Sequence, residues 1–209
     1  MTVVKPFKPA LVRTSEGKCT GYILLCQWTT LTRLLVILWM GVFFMRQTRN
    51  QKLVLTALLT AIAVVGGNLF EFPIGPARVA PTQHLINLIS GVLVGPYYAV
   101  AQAFLTSLLR NMLGTGTLLA FPGSMIGALC VGYCYRWFKN LLAAALGELI
   151  GTGILGALVA YPLAALFLGT TGALWVFIPS FFLSALVGVI VGYIILRALW
   201  PVLKARFAR

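Results

Sequence analysis

Long apolar runs, separated by short basic or Gly- and Pro-rich stretches, dominate the chain. From residue 50 onward six runs stand out, at residues 53–70, 83–95, 97–113, 121–138, 141–168 and 174–199. A helix needs about 20 apolar residues to cross the hydrocarbon layer, and fewer where surrounding protein covers a broken helix. The pattern predicts an all-α, polytopic membrane protein built as a six-helix transmembrane bundle. The second run is too short to span as a straight helix. It lies between Pro81 and Pro96, and Gly95-Pro96 makes a tight turn into the third.

Composition agrees with that pattern. Sixty per cent of residues are hydrophobic, only 9% are charged, and the mean hydropathy is +0.98. A soluble domain keeps roughly a quarter of its residues charged, so lipid must be the solvent for most of this surface. The charge is lopsided, with 16 Lys and Arg against Glu16, Glu71 and Glu148. A net charge of +13 raises nucleic acid as a partner. The positions exclude it, because the basic residues flank apolar runs instead of forming a stripe along a helix.

Charge also predicts orientation. With the end near residue 46 inside, nine basic residues face the cytoplasm: Arg46, Arg49, Lys52, Arg136, Lys139, Arg197, Lys204, Arg206 and Arg209. Arg78 and Arg110 fall on the outer side. The positive-inside rule therefore places both ends of this core in the cytoplasm. Residues 1–44 fit less easily. The stretch 22–45 is apolar enough to span, but a seventh span would put Lys5, Lys8, Arg13 and Lys18 outside. No small-residue cleavage site follows it, so it does not read as a signal peptide. Residues 1–44 read as an upstream extension, which a misplaced start codon would explain, and 45–209 as the substrate-binding domain.

Small residues four apart let helix backbones approach closely in lipid. Gly123/Gly127, Gly147/Gly151, Gly188/Gly192 and Ala57/Ala61 have that spacing, and packing within the chain is the expectation for each. Cys19, Cys26, Cys130 and Cys134 are too scattered for a disulfide framework, and one histidine without a nearby carboxylate makes no metal site.

Ionisable and amide side chains at membrane depth are costly and mark function. On the predicted orientation several converge at the outer end. Gln83, His84 and Asn87 open the second helix, with His84 and Asn87 on one face. Arg110 and Asn111 close the third, and Gly114-Thr-Gly-Thr117 follows as a loop able to bring backbone amides near a ligand. Tyr161 and Trp175 add amphipathic rings at similar depth, either as cavity walls or as an aromatic belt. The stiff stretch from Glu71 to Gln83, rich in proline, is placed to lid the cavity. Glu148, about two turns into the fifth helix, falls in the inner half, across the midplane from His84. It can floor the cavity, pair with a basic group or meet a partner.

The catalytic kit is thin. With no Asp there is no Ser-His-Asp set, and HExxH and Walker A motifs are absent too. No cofactor is implied, and ATP-driven transport would need partner subunits.

Five stretches carry a family resemblance: Phe72-Pro-Ile-Gly-Pro-Ala77, Gln83-His-Leu-Ile-Asn-Leu-Ile-Ser-Gly-Val-Leu-Val-Gly-Pro96, Arg110-Asn-Met-Leu-Gly-Thr-Gly-Thr117, Phe121-Pro-Gly-Ser-Met-Ile-Gly127 and Gly147-Glu-Leu-Ile-Gly-Thr-Gly153. Over about residues 46–199 the chain resembles the ThiW family, the substrate-binding S components of energy-coupling-factor transporters. The resemblance implies a multi-pass protein of the bacterial plasma membrane that captures a small molecule at its outer end. Its partners would be a transmembrane coupling subunit and two ATPase subunits, with Ala57 and Ala61 on the first helix as the docking patch. It also implies the thiazole precursor of thiamin, hydroxyethylthiazole, as substrate. His84, Asn87, Arg110 and Asn111 would supply hydrogen bonds and Trp175 or Tyr161 a stacking face, with Glu148 in the same set. Hydroxymethylpyrimidine, thiamin or another vitamin suits the same polar set. A self-sufficient channel or an intramembrane enzyme are the more distant alternatives.

Mass spectrometry of the native polypeptide is expected to place its N-terminus near Met45; abundant peptides from residues 5–20 would refute the extension reading.

Overall fold

A computed structural model of the protein describes residues 48–74, 77–168 and 174–207. The expected extension at 1–44 lies outside the described residues. The architecture is all-α apart from one small ribbon. Helix α1 (Arg49–Leu69) leads into strands β1 (Phe72–Ile74) and β2 (Ala77–Val79). Then come α2 (Pro81–Leu93), α3 (Pro96–Met112) and α4 (Ala120–Phe138). The next rod begins as α5 (Leu141–Ile150), passes through a π-helical stretch (Gly151–Gly156) and continues as α6 (Ala157–Leu168). Helix α7 (Leu174–Phe207) closes the bundle.

Local chemistry explains the boundaries. Gly95 has φ 92°, a conformation that costs glycine little, and so turns α2 into α3 within two residues. Lys139 ends α4 in the left-handed region at φ 51°, and Asn140 caps α5 by accepting a hydrogen bond from Leu142 N at 3.0 Å. Pro81 occupies the first turn of α2, where its missing N–H is not needed. The stretch expected to be a stiff loop is instead an antiparallel ribbon with Pro73 opposite Arg78. Proline tolerates a two-stranded ribbon because every strand in it is an edge.

Among the described residues three helical stretches are long and apolar enough to cross a membrane: Arg49–Leu69, Leu141–Leu166 and Ile178–Pro201. Helix α2, at 13 residues, rises only about 20 Å, well short of the hydrocarbon thickness. It is nonetheless the central element. It packs on α1, α3, α4, α5 and α7, and ten of its residues are buried. Its polar residues Gln83, His84, Asn87 and Ser90 are buried with the apolar ones, so their polar groups must find partners inside the bundle.

Between helices in lipid there is little hydrophobic drive, so close van der Waals contact holds them together. Glycine supplies that contact here. A Cβ on Gly156 would sit 2.6 Å from Gly123 Cα, and one on Gly151 would sit 2.9 Å from Gly127 Cα. So α4 lies backbone-to-backbone against the π-helical stretch. Gly188 of α7 sits against Pro81 and His84 in the same manner. The small-residue pairs on α4, α5 and α7 thus pack within the chain. Ala57 and Ala61 do not, for both are exposed on α1.

One end of the bundle carries an aromatic and basic girdle. Lys52 Nζ lies 5.8 Å from the Tyr98 ring, and Tyr133 hydrogen-bonds to Tyr97 at 3.4 Å. Tyr135 packs edge-on to Trp200 with centroids 6.2 Å apart. The start of α1, the start of α3 and the ends of α4 and α7 therefore meet at one level.

Gly156→Val is expected to lower the thermal midpoint in detergent, since overpacking typically costs about 1–3 kcal/mol. Ala101→Val, on an exposed face of α3, should leave it unchanged. Equal midpoints for both variants would refute the backbone contact.

Candidate functional site

The opposite end of the same helices encloses a cavity of about 70 Å³, several times the about 10–15 Å³ that one water needs. Gln83 and His84 of α2, Arg110 of α3 and Ser124 of α4 line it, with Ser180, Phe181 and Ser184 of α7 opposite. Glu71, Thr115 and Thr117 form its rim from the connecting segments.

Arg110 is the hub of the upper layer. It is 3% exposed, so its charge must be met within the protein. Its Nη1 donates to Gln83 Oε1 at 2.9 Å, and its Nη2 to Thr115 O at 3.2 Å. Glu71 Oε2 completes an ion pair at 3.2 Å. Gln83 relays the network inward by donating to Ser107 Oγ at 3.0 Å, and Ser107 meets Ser124 at 3.0 Å. Gly67 of α1 leaves room for the guanidinium, since a Cβ there would come within 3.0 Å of Arg110 Nε.

The lower layer is built on Glu148, which is fully buried. Its Oε1 lies 3.0 Å from His84 Nδ1 and accepts from Asn87 Nδ2 at 3.1 Å, while the one hydroxyl hydrogen of Thr152 is shared between this oxygen at 3.1 Å and Gly123 O at 3.2 Å. Asn87 Nδ2 also donates to Ser124 O at 3.2 Å, which joins the two layers. Thr152 belongs to the π-helical stretch, and such stretches recur at functional sites because they re-aim side chains. Gly127 opens the space for this layer: a Cβ there would come within 2.7 Å of Glu148 Oε2.

This geometry corrects one expectation. His84 and Glu148 are not separated by the midplane; they touch. The expectation placed His84 at the outer end of the second helix and Glu148 in the inner half of the fifth, with no offset between the two helices to relate them. Because α2 is short, His84 lies only about 14 Å from its C-terminal end, and Glu148 about 10 Å from the start of α5. The two side chains therefore fall at the same depth.

The other expected residues sort clearly. His84 and Arg110 line the cavity, while Asn87 and Glu148 support it from beneath. Asn111 holds the following loop by donating to Ser107 O at 2.7 Å and Thr117 O at 3.1 Å. The loop amides of Thr115 and Gly116 both donate to Arg110 O at 2.9 Å, so they serve the end of α3 and are not offered to a ligand. Tyr161 is 40% exposed and lies away from the cavity lining. Trp175 stands in the first turn of α7, and its side chain lies outside the described residues. Glu71, Ser107, Ser124, Phe181 and Ser184 were not expected. Of these only Glu71 carried a signal, as one of three acids in the chain.

A family model described as thiamine-precursor transporter protein (ThiW) matches residues 53–202. The chain belongs to the ThiW family. It is thus a membrane protein of a thiamine-precursor transporter family, and the cavity is the candidate place for the transported molecule. No curated protein and no solved structure matches the chain.

Gln83→Leu in this ThiW-family chain removes the acceptor for Arg110 Nη1 and the donor to Ser107. Leaving buried polar groups unmet costs about 1–3 kcal/mol, so the unfolding midpoint in denaturant should fall. Gln83→Glu keeps the acceptor and should fall less. The reverse order would contradict the network.

Proposed function

We propose that this chain is the substrate-capture component of an energy-coupling-factor importer, binding hydroxyethylthiazole in the cavity for ATP-driven uptake. The observation that carries the reading is a polar cavity at the end of the bundle opposite the basic girdle, in a chain of a thiamine-precursor transporter family. By the positive-inside rule the girdle marks the cytoplasmic side, and the cavity then opens outward. Hydroxyethylthiazole is neutral and offers one ring acceptor, one hydroxyl and a flat face. On this reading His84, Arg110, Ser124 and Ser184 meet the polar atoms, and Phe181 the ring.

Ala57 and Ala61 fit a docking role on the coupling subunit, because both lie exposed on α1 beside Leu53 and Val54, which are 53% and 55% exposed. Lipid also covers such faces, so crosslinking of this face to the coupling subunit is the direct check. An intramembrane enzyme gains no support from the His84–Glu148 contact. Glu148 does not line the cavity, so it has no access to a molecule held there.

Calorimetry on the detergent-purified protein is expected to give saturable binding of hydroxyethylthiazole without any partner, with hydroxymethylpyrimidine and thiamin weaker by roughly tenfold or more, about 1.4 kcal/mol. Tighter binding of either competitor would transfer the assignment to it. Binding of none of the three would refute the capture reading.

A further inference from the structure

His84 is the single histidine of the chain, and its two ring nitrogens have different duties. Nδ1 lies 3.0 Å from Glu148 Oε1. That oxygen is an acceptor, because Asn87 Nδ2 lies 3.1 Å from it and an amide nitrogen can only donate. Turning the Asn87 amide over would set its Oδ1 against both Glu148 Oε1 and the Ser124 carbonyl, now 3.2 Å from Nδ2, so this orientation is fixed by its neighbours. A carboxylate oxygen has no hydrogen to give, so its ring partner must donate. His84 therefore carries its hydrogen on Nδ1, and Nε2 is the nitrogen left for the cavity that the ring lines. In a neutral imidazole that nitrogen is a lone-pair acceptor.

We infer that Glu148 is a positioning residue that holds His84 in the Nδ1–H tautomer, making this end of the cavity an acceptor subsite for a hydroxyl or N–H of the ligand. Glu148 is well suited to the task. It has no exposure of its own, and Asn87 of α2 fixes the same oxygen, with Thr152 of the π-helical stretch beside it. A ligand that presents a donor there gains a buried hydrogen bond. One that presents only an acceptor sets lone pair against lone pair and leaves both groups unmet. The inference rests on the capture reading for its ligand, since the single donor of hydroxyethylthiazole is its hydroxyl.

The tautomer can be read without any ligand. In protein labelled with ¹⁵N-histidine, only one imidazole contributes signals. Near neutral pH the expected spectrum shows a protonated Nδ1 and a pyridine-type Nε2. A protonated Nε2, alone or together with Nδ1, overturns the inference whatever the protein binds. Glu148→Met removes the acceptor and should shift the ring to the Nε2–H form, whereas Glu148→Gln keeps a carbonyl oxygen and should retain Nδ1–H. Affinities follow the same order. The parent and Glu148→Gln should prefer hydroxyethylthiazole over its methyl ether by roughly tenfold, and folded Glu148→Met should lose most of that preference. A folded Glu148→Met with unchanged tautomer and preference sinks the positioning role. Should that variant not fold, the parent spectrum alone carries the test. If the parent binds neither compound, the capture reading fails while the spectrum still decides the tautomer.

Discussion

A carboxyl group in the middle of a membrane protein, out of reach of water, must be met by donors from its own chain, and those donors must come from several helices at one depth. Glu148 imposes that condition here. His84 and Asn87 come from α2 and Thr152 from the π-helical stretch, while Gly127 of α4 clears the space. Helix α2 and the rod of α5 and the π-helical stretch are thereby fixed in rotation and height around one oxygen, with α4 packed closely against the same carboxyl group. In lipid, where apolar contact gives little preference for one arrangement over another, such a junction supplies much of the specificity. The upper layer depends on it, because Asn87 also reaches the Ser124 carbonyl that lies beneath the cavity.

The second constraint is the length of α2. A 13-residue helix cannot reach both faces of a bilayer, so its N-terminal end lies below the surface with the ribbon above it. Ala80 N ties the junction of ribbon and helix to Ser184 Oγ of α7 at 3.2 Å. The space above a short central helix, walled by longer neighbours, becomes the cavity. Arg110 is then required to span it, reaching Gln83 on one side and Glu71 on the other. An ion pair with hydrogen bonds to spare is the form in which a buried guanidinium is tolerable. The two ends of the bundle consequently differ in kind. One is a girdle of tyrosine, tryptophan and lysine suited to an interface, and the other is a polar recess closed by short connecting segments.

Much of this was legible in the chain. Hydrophobic runs gave the six helical rods to within a few residues at most ends, because the length of an apolar segment is a local property. Gly95-Pro96 announced its turn, and the clustering of lysine and arginine announced the girdle. The identity of the polar residues was legible as well. His84, Asn87, Arg110 and Glu148 stand out in a sequence with so few ionisable groups, since each is too costly in lipid to be incidental.

What the sequence could not decide was which of them meet. It sets a side chain's depth only relative to the ends of its own helix, and α2 and α5 begin from different levels. The contact between His84 and Glu148, the committed loop amides of Thr115 and Gly116, and the place of Phe181 in the wall all depend on offsets between helices. Those offsets are set by where glycines let backbones touch and where a buried oxygen gathers its donors. Such contacts join residues as far apart as Ala80 and Ser184, at 104 positions, and leave no periodic trace in the chain. Composition and periodicity determined that this protein lives in the membrane and which polar groups it carries there; only the packing of unequal helices decided that those groups form one connected site.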